Sequence, residues 1–133
     1  MATILLAEDN EAVRLLTQAK LRHQFTVAAA ANGREALDIL ERQHVDLIVA
    51  DVMMPVMDGY QATRAIRQLD RPDAGSIPIL AMTANAFVED RRRAYEAGMN
   101  EHLTKPLEPE VVLRTLAKYR SKYAGRPPHR GSL

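Results

Sequence analysis

The sequence predicts a single α/β domain in which short parallel strands alternate with helices, and three observations predict it. Short apolar runs recur along the chain, separated by stretches whose apolar residues fall at helical spacing. The run Asp46 to Ala50 is apolar on consecutive residues once past its first, as expected of a strand covered on both faces of a parallel sheet. A chain of 133 residues with 47% hydrophobic content suffices for one ordinary core. No internal repeat is evident, and right-handed crossovers make (βα)5 the natural architecture.

The elements follow in order. Leu5-Leu6-Ala7 forms the core of a first strand, after which Asn10 caps a helix whose apolar positions Ala12, Leu15, Leu16 and Ala19 follow the i, i+3, i+4, i+7 pattern. Thr26 to Ala30 is a weaker, alanine-rich second strand. Asn32-Gly33-Arg34-Glu35 has the form of a capping box and leads a second helix through Ala36, Leu37 and Leu40. The third strand stops at Asp51. A third helix spans about Gly59 to Leu69, and Asp70 to Ser76 has the composition of a surface loop. Ile77 to Met82 is the fourth strand, with Pro78 near its start, where a missing donor is tolerated. A fourth helix covers Val88 to Ala97 and stops at Gly98. Strand five is His102 to Thr104, and Pro109 opens a last helix through Val112, Leu113, Leu116 and Ala117. The domain thus occupies residues 1–120, and residues 121–133 form a basic tail or linker containing Gly and Pro.

Composition narrows the function classes. A net charge of +1 creates no field toward nucleic acid, and two Phe, four Tyr and no Trp leave few stacking platforms, so direct nucleic-acid binding is disfavoured. Cysteine is absent, which removes disulfides and thiolate metal sites. The start lacks the basic n-region and apolar core of a signal peptide, and no apolar run approaches the ~18 residues of a membrane span. The expectation is a soluble, cytoplasmic protein without membrane insertion.

Four strand ends carry polar residues that phosphate chemistry uses: Glu8-Asp9, Asp51, Thr83 and Lys105. Parallel strands bring such ends to one sheet edge, and ligands of open α/β sheets bind at the carboxyl edge. Three carboxylates, a hydroxyl and an ammonium there point to a divalent metal with a phosphoryl group. Taken singly, each has a plainer reading: Asp51 as a turn former, Glu8-Asp9 as the lead into a helix, Thr83 as strand filler, Lys105-Pro106 as surface loop.

Leu6-Ala7-Glu8-Asp9-Asn10, Asp51-Val52-Met53-Met54-Pro55-Val56-Met57-Asp58-Gly59, Met82-Thr83-Ala84 and Lys105-Pro106 together resemble the receiver domains of two-component response regulators. The resemblance runs from residue 3 to about 120, in order. The phrases around Gly98 to Pro106 and Ala81 to Ala86 are most similar to receivers attached to hybrid histidine kinases. The resemblance implies a flavodoxin-like fold, strand order 2-1-3-4-5. It implies that Asp51 accepts a phosphoryl group from a phosphohistidine on a histidine kinase or histidine phosphotransfer protein, with slow self-catalysed loss. It implies Mg²⁺ on Asp9, Asp51 and the Met53 carbonyl, with Glu8 acting through water; Lys105 on the phosphoryl oxygens; and Thr83 as hydrogen-bond donor and switch residue. A cis Lys105-Pro106 bond is implied too.

Position 102 departs from the pattern, since many receivers carry Tyr or Phe where His102 stands. The departure leaves phosphorylation intact and puts the aromatic switch in question, with a structural histidine favoured over a pH sensor. Met54 and Met57 read as packing residues, and Arg91-Arg92-Arg93 reads as a solvated face paired internally by Glu89. Two rivals remain. One is a magnesium-dependent aspartate-nucleophile phosphohydrolase, which needs an acid two positions after Asp51 where Met53 stands. The other is a receiver-like binding module that is never phosphorylated.

Overall fold

The computed structural model describes residues 1–84 and 88–123. One five-stranded parallel sheet has the order β2-β1-β3-β4-β5, as expected. The strands are β1 (Thr3–Ala7), β2 (Thr26–Ala30), β3 (Leu47–Asp51), β4 (Ile79–Thr83) and β5 (Glu101–Thr104). Between and after them run α1 (Glu11–Leu21), α2 (Gly33–Arg42), α3 (Gly59–Arg67), α4 (Val88–Ala97) and α5 (Pro109–Tyr123). The last helix continues past residue 120, and residues 124–133 of the expected tail lie outside the described residues. Among the described residues, no helix is long and apolar enough to cross a membrane.

Strand alternation divides the core between two faces. Leu5, Ala7, Ile48, Ala50, Ile79 and Ala81 pack with residues of α2, α3 and α4. Ile4, Leu6, Leu47, Val49, Leu80 and Met82 point the other way, toward Leu21 of α1 and Val112 and Leu116 of α5. β3 and β4 are buried along their whole length, which is why their sequences are apolar on consecutive residues.

The first helix forms where expected but presents the opposite face. Ala12, Leu15, Leu16 and Ala19 are exposed, Leu15 by 56% and Leu16 by 66%, while Thr17 and Leu21 are buried and Val13 is half-buried. Two stripes compete on this helix. The inner one, Val13, Thr17 and Leu21, is continued by buried Phe25, whose backbone N–H donates to the Leu21 carbonyl. Thr17 Oγ1 donates to the Val13 carbonyl at 2.7 Å, so its hydroxyl enters the core already satisfied. The capping box at α2 is also only half formed. Asn32 accepts from the Glu35 N–H, but Glu35 Oε1 takes the N–H of Ala31 rather than that of Asn32. A complete box stands instead at α3, between Asp58 and Gln61.

Candidate functional site

Register brings the polar strand ends together. Ala7 pairs with Ala50, Asp51 with Met82, and Thr83 with Thr104, so Glu8, Asp9, Asp51, Thr83 and Lys105 leave the sheet along one edge. Ligand oxygens of Glu8, Asp9 and Asp51 lie within 4.8 Å of one another. Hard carboxylate oxygens so gathered are the donor set that a small divalent cation takes. Glu8 is fully buried, Asp51 nearly so, and Asp9 is exposed at the mouth.

Lys105 is shared by two of the acids. Its Nζ lies 2.8 Å from Asp51 Oδ2 and 2.9 Å from Glu8 Oε1. Asp51 Oδ1 accepts from the Met53 N–H at 3.0 Å, and Glu8 Oε2 accepts from the Asn10 N–H at 3.0 Å. Burial pushes the Glu8 carboxyl above its ordinary pKa, helped by the Asp51 charge, although Lys105 and the Asn10 N–H pull the other way. Burial alone would lower Lys105, yet hydrogen bonds and charge from Asp51 and Glu8 outweigh it and hold the ammonium above the ordinary lysine value. The lysine is therefore firmly protonated, and its placement follows from the Lys105 N–H donating to the Thr83 carbonyl at 2.8 Å. The Lys105-Pro106 bond is cis.

The loop after Asp51 is held by backbone. Val56 sits at φ +67, and the Met57 N–H reaches the Pro55 carbonyl at 2.6 Å, a tight turn through a conformation that β-branched residues seldom adopt. A Cβ on Gly59 would stand 2.5 Å from the Asp51 carbonyl oxygen, and one on Gly33 would stand 2.7 Å from the Met57 carbonyl oxygen. Both glycines are required by close backbone approach. Met54 and Met57 pack against the core as packing residues should, whereas Met53 and Val56 are 75% and 80% exposed.

Thr83 is buried at the end of β4, and His102 is half-buried in β5 opposite Ala81. Arg91, Arg92 and Arg93 are exposed; Arg93 lies over the Tyr60 ring, 4.4 Å from its centroid, and the side chain of Glu89 lies outside the described residues. Sequence reasoning missed Arg14, whose guanidinium donates to the Glu8 carbonyl at 2.9 Å and ties α1 to the acidic loop. A charged residue half-buried one turn into a helix leaves no periodic signal. The Asp58 cap of α3 was missed as well, although its Asp-x-x-Gln spacing is a signal that could have found it.

Residues 4–117 match the family model described as the response regulator receiver domain. The chain is 37% identical over 117 residues to the sensor histidine kinase RcsC of Escherichia coli, covering 87% of this chain but 12% of that kinase. A second relative is the sensor histidine kinase GacS of Pseudomonas protegens, 37% identical with 87% and 13% covered. Among solved structures, the receiver domain of a sensor histidine kinase from Pseudomonas aeruginosa PAO1, with a magnesium ion coordinated in its active site cleft, is 39% identical with a TM-score of 0.79. That comparison covers 90% of this chain and 98% of the other. The chemotaxis response regulator CheY4 of Vibrio cholerae is 32% identical, with the same coverage and a TM-score of 0.78.

Proposed function

The chain belongs to the response regulator receiver domain family of two-component signalling, and on that premise we propose that it is a cytoplasmic phosphoryl-accepting switch with Asp51 as the acceptor. The observation that carries this reading is the lysine seated between Asp51 and Glu8, with Asp9 beside them, at the carboxyl edge of the sheet. A carboxylate oxygen of Asp51 attacks the phosphorus of a phosphohistidine. The P–N bond breaks, its electrons return to the imidazole, and an acyl phosphate forms on Asp51. The Met53 N–H orients the nucleophile through Oδ1. Lys105 follows the transferred charge from the carboxylate to the phosphoryl oxygens, a short displacement for a side chain already in contact with the nucleophile. Thr83 donates its hydroxyl to the bound phosphoryl and is the switch residue together with His102 on the neighbouring strand.

Asp9, Asp51 and the Met53 carbonyl would hold Mg²⁺, with Glu8 acting through water. Glu8 Oε2 accepts the Asn10 N–H and Oε1 is in ion contact with the Lys105 ammonium, which supports an indirect part for that residue. When bound, magnesium supplies positive charge that offsets the acids and the incoming phosphoryl group. The phosphodonor is a histidine kinase or histidine phosphotransfer protein. α1 begins two residues after Asp9, and its outward Leu15 and Leu16 offer that donor an apolar contact beside the site. The domain is a phosphoacceptor rather than a turnover enzyme, in keeping with an exposed methionine where an aspartate-based phosphohydrolase needs an acid.

Mass spectrometry after incubation with acetyl phosphate and Mg²⁺ tests the reading. One phosphate should map to Asp51, vanish in Asp51→Asn and fail to appear in EDTA. Labelling that persists in the Asn variant, or without metal, overturns it.

A further inference from the structure

Arg67, near the end of α3, sits far along the fold from the acidic cluster and makes five hydrogen bonds. Nε and Nη2 donate to the Gly98 carbonyl at 3.0 and 2.7 Å, Nη1 to the carbonyls of Ala74 and Ile77 at 3.1 and 2.7 Å, and Nη2 to Asn100 Oδ1 at 2.9 Å. Every N–H of the guanidinium is used, a degree of engagement that a solvated helix arginine does not need. Asn100 closes the arrangement onto β4. Its backbone N–H donates to the Ile79 carbonyl at 2.7 Å, and its Oδ1 accepts the Ile79 N–H at 2.8 Å.

The bonds converge on the start of an edge strand. β5 is a four-residue edge strand with no fully buried position. Its ladder with β4, Leu80 opposite Glu101 through Thr83 opposite Thr104, is closed at both ends by further bonds, Asn100 against Ile79 at the start and the Lys105 N–H on the Thr83 carbonyl at the finish. A slip of one residue would move Lys105 by about 3.3 Å and reverse its side, enough to break contacts of 2.8 and 2.9 Å to Asp51 and Glu8. The junction before β5 is built around the same arginine. α4 closes with the Gly98 N–H on the Tyr95 carbonyl and the Met99 N–H on the Ala94 carbonyl, the Schellman pattern. Gly98 has φ +108, and a Cβ there would meet Arg67 Cγ at 3.1 Å.

We propose that Arg67, acting through Asn100, is a positioning residue for Lys105: it clamps the start of β5 so that this edge strand delivers the ammonium to the acidic cluster. The inference rests on the phosphoacceptor reading for its kinetic consequence, but not for the clamp itself. Glu8 and Asp9 directly follow β1 and Asp51 ends β3, so the clamp does not hold the acids themselves and reaches them only through the lysine.

The experiment compares the full chain with Arg67→Lys, which keeps the charge and loses the fork. Amide exchange across residues 99–105 should quicken about tenfold, and acetyl phosphate labelling should slow about fivefold, while Mg²⁺ affinity by calorimetry stays within about twofold. Asn100→Asp retains the acceptor and adds charge to it, so exchange over the same residues should slow, and in the Arg67→Lys background it should restore part of the labelling rate. Parent-like exchange in Arg67→Lys overturns the clamp. Labelling and Mg²⁺ affinity falling together overturn the positioning role. Should Arg67→Lys fail to fold, unchanged exchange in Asn100→Asp overturns the proposal by itself. A parent chain that takes no label refutes the phosphoacceptor reading, and exchange then still decides the clamp.

Discussion

Replacing Lys105 by methionine keeps most of the stem volume and removes the ammonium between Asp51 and Glu8. At 2.8 and 2.9 Å, with an effective dielectric of about 20, each contact carries roughly 6 kcal/mol of gross attraction. Repulsion between the two carboxylates, at least about 3.5 kcal/mol on the same scale at up to 4.8 Å, is left uncompensated once the ammonium is gone. Desolvation cancels most of the gross attraction, and breaking such buried pairs ordinarily costs about 3–5 kcal/mol. Because the Lys105 side chain is 26% exposed, solvent screening lowers the expected loss to about 2–3 kcal/mol. In a domain of this size that is a fall in Tm of roughly 6–15 °C. Melting followed by circular dichroism in EDTA should show it, and saturating Mg²⁺ should narrow the gap by supplying the missing charge. Equal Tm values in EDTA would refute the account of the lysine as counter-ion to both acids. A gap that Mg²⁺ does not change would refute the cation's place among them.

Leu16→Glu, on the outward stripe of α1, should slow transfer from a phosphohistidine protein about tenfold while leaving acetyl phosphate labelling intact, read in parallel phosphotransfer assays. Gly59→Ala forces a Cβ against the Asp51 carbonyl and should cost about 2–3 kcal/mol in urea unfolding; parent stability would contradict the close approach. Burial raises the Glu101 carboxyl, but the Lys118 ammonium and the Tyr119 hydroxyl outweigh it and hold its pKa below the ordinary 4.5. Its contribution is therefore present above pH 4.5 and lost as pH falls through the lower folded value. Glu101→Gln should cost about 0.5–1 kcal/mol at pH 7, with the difference fading in acid; a gap independent of pH would refute the ion pair.

Legibility followed the strength of local signals. Strand ends were readable because each apolar run stops on a polar residue, and Gly98, Pro109 and Asn10 mark helix limits by backbone chemistry that acts within a few residues. The face of α1 was not, because Leu15 and Leu16 make the more apolar stripe while tertiary packing selects the one ending in Leu21. Glu35 turned to Ala31 instead of Asn32 for a similar reason: two N–H groups lie within reach, and spacing does not choose between them. The acidic cluster was foreseeable once the strands were parallel. Arg14 and Arg67 were hidden, since each acts on backbone carbonyls that sequence does not mark.

The two glycines against the loop after Asp51 have a consequence for how this surface can diversify. A side chain at Gly59 would meet the Asp51 carbonyl and one at Gly33 that of Met57, so neither position behind the loop can carry a Cβ without a shift. Variation is therefore easiest at the loop's own outward side chains. Met53 and Val56 are the loop's large apolar residues that point outward into solvent. Side chains at those two positions can be exchanged without placing an atom against either glycine, so the exposed surface of the loop can change its chemistry apart from the buried Asp51 carboxylate.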